Sequence, residues 1–158
     1  DLQQLLHGAW THYNEGRFDD AGSLLDDAIA IHADYPPVVY MQGVLAQTEN
    51  NHDSAREYFE VAYDLDASYT PAALGLMEVH THEEAYDEAL DLAEDVLDEQ
   101  PFWAVYYRQA RAFDGIGEYE DAISVIQARC EPLNNHHAKL YLTMGDVFMN
   151  NGRRAIRI

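Results

Sequence analysis

At 158 residues the chain is long enough for one domain with a sizeable core, or for one segment of a repeat array. Its 29 Asp and Glu against 9 Lys and Arg leave a formal charge of −20, a field that repels nucleic acid and anionic membranes and excludes both as main partners. No apolar run reaches the roughly 20 residues of a bilayer span, and the single cysteine, Cys130, excludes a disulfide framework or a multi-cysteine metal site.

Helix follows helix along the chain, with no competing strand pattern. The first is predicted at 2–14 and its partner at 18–31, with Gly16 supplying the turn. Pro36 and Pro37 open a third at 36–48, where a proline in the first turn costs no hydrogen bond. A fourth follows at 52–65. Pro71 opens the fifth at 71–82, and the sixth spans 86–99 after Glu83-Glu84, which stand where a glycine turn is expected. Pro101 precedes a seventh at 103–114, Gly117 turns the chain into an eighth at 119–130, and Pro132 ends it. The last, at 136–150, carries Leu140, Met144-Gly145 and Phe148 in the spacing of a first helix and stops at Asn150-Asn151-Gly152.

Four of these helices open on one pattern. Ala21, Ala55, Ala89 and Ala122 lie 34, 34 and 33 residues apart. A bulky residue follows one turn later (Leu25, Phe59, Ile126) and a small or β-branched one after that (Ala28, Ala62, Val96). The small alanine lets its backbone approach the preceding helix, the bulky side chain fills the space between helices, and the third position meets the next repeat. Phe18, Tyr86 and Tyr119, three residues before the alanine, pack the turn, with His52 the exception.

This recurrence resembles the tetratricopeptide repeat (TPR) family over nearly the whole chain. The resemblance implies an all-α fold, a right-handed superhelical α-solenoid of antiparallel helix pairs. Repeats fall near 2–34, 36–67, 70–100 and 103–131, with a partial repeat over 136–158, in one continuous segment. Gly43 and Gly145 hold the family's glycine position, while Ala9, Met77 and Ala110 replace it elsewhere. A second helix should follow the last first helix, so either the chain is cut from a longer array or this helix is a cap; the cut is favoured, since a cap is usually polar on its outer face.

The resemblance also implies where binding occurs, since the concave face of such a solenoid is lined mainly by the first helix of each pair. Register places Gln3, Leu6, Trp10, Tyr13, Tyr40, Val44, Gln47, Leu74, Glu78, Tyr107, Arg111 and Asp114 there, with Leu142, Asp146 and Met149 from the last helix. The line Leu6, Trp10, Tyr13, Tyr40, Val44, Leu74 and Tyr107 is apolar and aromatic, suited to an extended peptide or an amphipathic helix of a protein partner. Packing inside the repeat is the competing use of each side chain. Arg108 and Arg111, one turn apart, pair either with a ligand carboxylate or with Asp114 and Asp146. Some TPR domains clamp a chaperone's C-terminal carboxylate with lysine, asparagine and arginine; the Trp, Tyr and Val found here exclude that version.

Little else reads as chemistry. His80 and His82 point apart on a helix, and sequence places no third ligand, so no metal is expected. His136-His137 suit a helix start after Asn134-Asn135. The carboxylate pairs Asp19-Asp20, Asp26-Asp27, Asp64 with Asp66, and Asp95 with Asp98 and Glu99 belong to polar faces of second helices, not to a closed acid–base pocket. No phosphate loop or nucleophile motif is present, and a solenoid offers a shallow groove rather than a water-excluded pocket. The chain is therefore expected to be non-enzymatic, without cofactors, and to act as a scaffold or adaptor for a protein or peptide partner. Two other roles stay open: a chaperone for an apolar secretion substrate, and an assembly or regulatory segment of a larger protein. The basic–apolar end, Arg153 to Ile158, suits docking on an acidic neighbour and thus self-association. A lone lysine, Lys139, beside 8 arginines fits a high-salt habitat as well as an ordinary acidic scaffold. Cytoplasm and periplasm are both compatible with the composition.

Overall fold

A computed structural model of the chain describes residues 1–99 and 103–127. Among these residues the protein is built of eight helices and no strand. They are α1 (Leu2–Asn14), α2 (Phe18–Ile31), α3 (Pro36–Thr48), α4 (His52–Leu65), α5 (Thr70–His82), α6 (Tyr86–Glu99), α7 (Trp103–Ile116) and α8 (Tyr119–Val125). Predicted and observed bounds agree to within a residue until α7, which continues to Ile116. α8 passes into a wider π-type turn at Ile126 and Gln127, and the remainder of the helix expected to 130 lies outside the described residues. The helix expected at 136–150, Cys130, Pro132, His136-His137 and the basic tail lie outside the described residues.

Local chemistry sets the helix ends. Asp1 caps α1 by accepting from the backbone N–H of Gln3 at 2.7 Å and of Gln4 at 3.3 Å. Asn51 does the same for α4, accepting from Ser54 N–H at 3.2 Å. α2, α4 and α6 carry carboxylates in their first turns, where the positive helix end favours them. Pro36 and Pro37 occupy the start of α3.

Two compact units make up the chain, Asp1–Leu76 and a second that begins at Met77 within α5. In the first, α1 packs on α2, α2 on α3, and α3 on α4. Its cores follow the repeat: Leu6 and Ala9 of α1 meet Ala21, Leu25 and Ala28 of α2 and Val38 and Met41 of α3. Farther along, Val39, Ala62 and Ala72 form a second cluster. Ala21, Ala55, Ala89 and Ala122 are all fully buried, as close helix approach requires. Phe59 is 1% exposed and wedged between two glycines; a Cβ on Gly43 would stand 2.5 Å from its ring, and one on Gly75 3.0 Å. In the second unit α6 packs on α7 and α7 on α8, with Ala110, Ala122 and Ile126 buried together.

Candidate partner-binding face

Charge is segregated between the two kinds of helix in the first unit. α1 and α3 contain no Asp, Glu, Lys or Arg, whereas α2 and α4 each contain four carboxylates. Those carboxylates are exposed, as are the pairs Asp26-Asp27 and Asp64 with Asp66. The uncharged helices supply aromatic rings instead. Trp10 meets Tyr13 edge-on with ring centroids 5.5 Å apart, and leans on Tyr40 of α3 at 6.1 Å. Tyr40 in turn contacts Tyr69 edge-on at 5.8 Å and the core ring of Phe59 at 5.4 Å. Tyr13 touches Phe18 at 5.6 Å. The result is a continuous wall of half-buried rings from the α1–α2 turn to the start of α5, anchored to the core through Phe59.

Of the residues expected from sequence, Trp10, Tyr13 and Tyr40 are therefore brought together. Leu6 and Val44 are each 6% exposed and serve the core, offering little surface to a partner. Leu74 is half-buried on α5. Sequence reasoning missed Tyr69 and Tyr35, because both lie in turns outside the first-helix register. Tyr35 stacks on His32 at 5.6 Å, and Gln3 reaches its hydroxyl with Nε2 at 3.5 Å. Burial, with the nearby phenols of Tyr40 and Tyr35, pushes the Tyr69 hydroxyl up to about 12 from its ordinary value near 10.

In the second unit Tyr107 is half-buried and Arg111 exposed. Arg108 donates to Glu78 of α5 at 3.5 Å, so its structural partner lies on the preceding first helix. With the Glu78 side chain 63% exposed, the pair contributes at most about 1 kcal/mol. Asp146, the other partner considered, is outside the described residues. His80 and His82 join no metal cluster: among the described residues no group of three or more His, Cys, Asp or Glu is placed to hold an ion. Nor is any described helix long and apolar enough to cross a membrane.

Two family models, both described as tetratricopeptide repeat, match residues 8–70 and 45–112, together the greater part of the chain. The chain belongs to the tetratricopeptide repeat family. No curated protein sequence matches it. Solved structures share its fold at low identity. A thermophilic TPR protein of Thermus thermophilus superposes with a TM-score of 0.84 at 15% identity, covering 97% of this chain and 84% of that one. For pilF of Pseudomonas aeruginosa the TM-score is 0.85 at 15% identity, with 96% and 69% covered. For MamA of Desulfovibrio magneticus the values are 0.76 and 18%, with 96% and 85% covered. The all-α, TPR-type solenoid class expected from the repeat is thus shown. TPR arrays generally mediate protein–protein interaction, and the fold is a known non-catalytic interaction scaffold.

Proposed function

We propose that this TPR chain is a non-enzymatic scaffold or adaptor that holds a peptide or helix of a protein partner. The recognition face would be the aromatic wall of Trp10, Tyr13, Tyr40 and Tyr69, with Leu74 beside it. In the second unit, Tyr107, Arg108 and Arg111 would offer a partner contacts of their own. The observation that carries this reading is the run of ring contacts through α1 and α3, two helices without a charged side chain, and on to Tyr69 in the turn before α5. Large rings with polar tips lose little rotamer freedom on binding and are frequent anchors of interfaces. A core-only role would not need four half-buried rings in sequence along one face, since burial alone is served by aliphatic side chains.

The test is affinity capture from the native source with the wild-type chain and the triple variant Trp10→Ala, Tyr40→Ala, Tyr107→Ala. Because Tyr40 also rests on Phe59, a second variant, Trp10→Ala with Tyr13→Ala, leaves that core contact intact. Partner capture should be lost in both while far-ultraviolet circular dichroism keeps its helical form. Undiminished capture by the triple variant would reject this face.

A further inference from the structure

The first unit combines electron-rich rings with a strongly negative surround. Residues 1–76 hold thirteen Asp and Glu against two arginines, and no lysine. Both arginines are engaged close to home: Arg17 with Glu15 and Asp20, and Arg56 with Asp53. The carboxylates stand on α2, α4 and the turns, leaving the aromatic helices themselves uncharged. The wall therefore presents negative ring faces inside a negative field, with the unit's own guanidinium groups held by other partners.

This arrangement discriminates between occupants. An acidic segment is repelled by the field. A neutral apolar segment gains from ring area but nothing from the charge. A guanidinium gains from both, because its plane stacks on an indole or phenol face and is attracted by the ring quadrupole. It is also more weakly hydrated than an ammonium, so it sheds water at a half-buried wall more readily than lysine does. Tyr40 and Tyr69, whose rings meet edge-on at 5.8 Å, add phenol hydroxyls as acceptors along the wall.

We propose that the aromatic face of α1 and α3, with Tyr69, docks an arginine-bearing segment of a basic protein partner, the guanidinium lying on the outer ring faces of Trp10 and Tyr40. This rests on the reading of that face as the recognition surface and names the chemistry of its ligand.

The experiment uses the whole chain, isotope-labelled, and follows the two tryptophan indole N–H signals, assigned by Trp10→Phe. A blocked hexapeptide, Ala-Arg repeated three times, is titrated beside versions with citrulline or lysine in place of arginine. The arginine peptide should shift the Trp10 signal and bind about fivefold or more tightly than the citrulline isostere, with lysine between them. Trp10→Leu, which keeps apolar bulk, should weaken the arginine peptide by a similar factor, and Trp10→Phe, which keeps a ring, by less. Equal affinity for arginine and citrulline peptides with a shift at Trp10 overturns the guanidinium assignment while the face survives as a binding surface. Arginine binding untouched by Trp10→Leu assigns the attraction to the acidic shell alone and overturns the proposal. Absence of any shift at Trp10 overturns it as well, and the capture experiment above then decides the face separately.

Discussion

Four helix hairpins turn on residues at positive φ: Gly16 at 75°, Asn50 at 58°, Glu84 at 60° and Gly117 at 85°. Each turn is closed by the same pair of backbone bonds. At the third they run from Glu84 N–H to Thr81 C=O at 3.2 Å and from Ala85 N–H to His80 C=O at 2.7 Å. Glycine adopts this conformation freely and asparagine tolerates it, but glutamate pays a steric cost of about 1 kcal/mol. The Glu83-Glu84 pair was legible in the sequence as a departure from the pattern. Its consequence was not, because the turn keeps its geometry and concentrates the cost in one residue. Glu84→Gly should therefore stabilise the chain by about 1 kcal/mol, raising the thermal midpoint by about 3 °C. Glu84→Gln removes the charge but keeps the strained backbone, and should change the midpoint by less than half as much. If both variants stabilise equally, charge relief rather than backbone strain is the cause.

At the scale of the helix, the repeat register located the described helices, because its signal comes from small and bulky residues at fixed spacing. The register also placed glycine correctly at Gly43, where the ring of Phe59 leaves no room for a Cβ. It did not reveal Gly75, where a Cβ would also meet the Phe59 ring. That contact joins α4 to the following repeat, and comparing equivalent positions across repeats cannot show which two residues meet between them. The candidate site was legible to a similar degree. Trp10, Tyr13 and Tyr40 came from the repeat register that the family resemblance implies, whereas the burial of Leu6 and Val44 depends on how neighbouring helices close over them. Phe59 links the two scales, since it fills the slot between the glycines and also supports Tyr40. Gly43→Ala should push the ring out of its slot and destabilise the chain by about 1–3 kcal/mol in urea unfolding. Pairing it with Phe59→Leu should cost less than the sum of the two single changes, because leucine yields space to the new methyl. Strict additivity would mean that the two sites do not share the strain.

Across the whole molecule the carboxylates outnumber the bases by 29 to 9, and they are not spread evenly. α6 alone carries Asp87, Glu88, Asp91, Glu94, Asp95, Asp98 and Glu99, all exposed, and no base. Like charges three and four residues apart on a helix repel by a few tenths of a kcal/mol per pair. Asp91 sits at the centre of this strip, within that spacing of Asp87, Glu88, Glu94 and Asp95. The helix tolerates the repulsion because Ala89, Ala93 and Val96 bury its other face. Self-repulsion of this kind is relieved by screening, whose range falls from about 30 Å at 0.01 M salt to about 3 Å at 1 M. The thermal midpoint should therefore rise by several degrees on adding sodium chloride over that range. Asp91→Lys should recover part of the gain at low salt and flatten the remaining response, since one substitution turns four repulsions into four attractions. Sulfate also strengthens apolar burial by exclusion from the protein surface, so it is the control. A midpoint that rises in sulfate but stays flat in chloride would assign salt stabilisation to burial and refute the electrostatic account. The same acidic shell is what gives an arginine-bearing partner its long-range attraction, so chloride should stabilise the fold and weaken that association together.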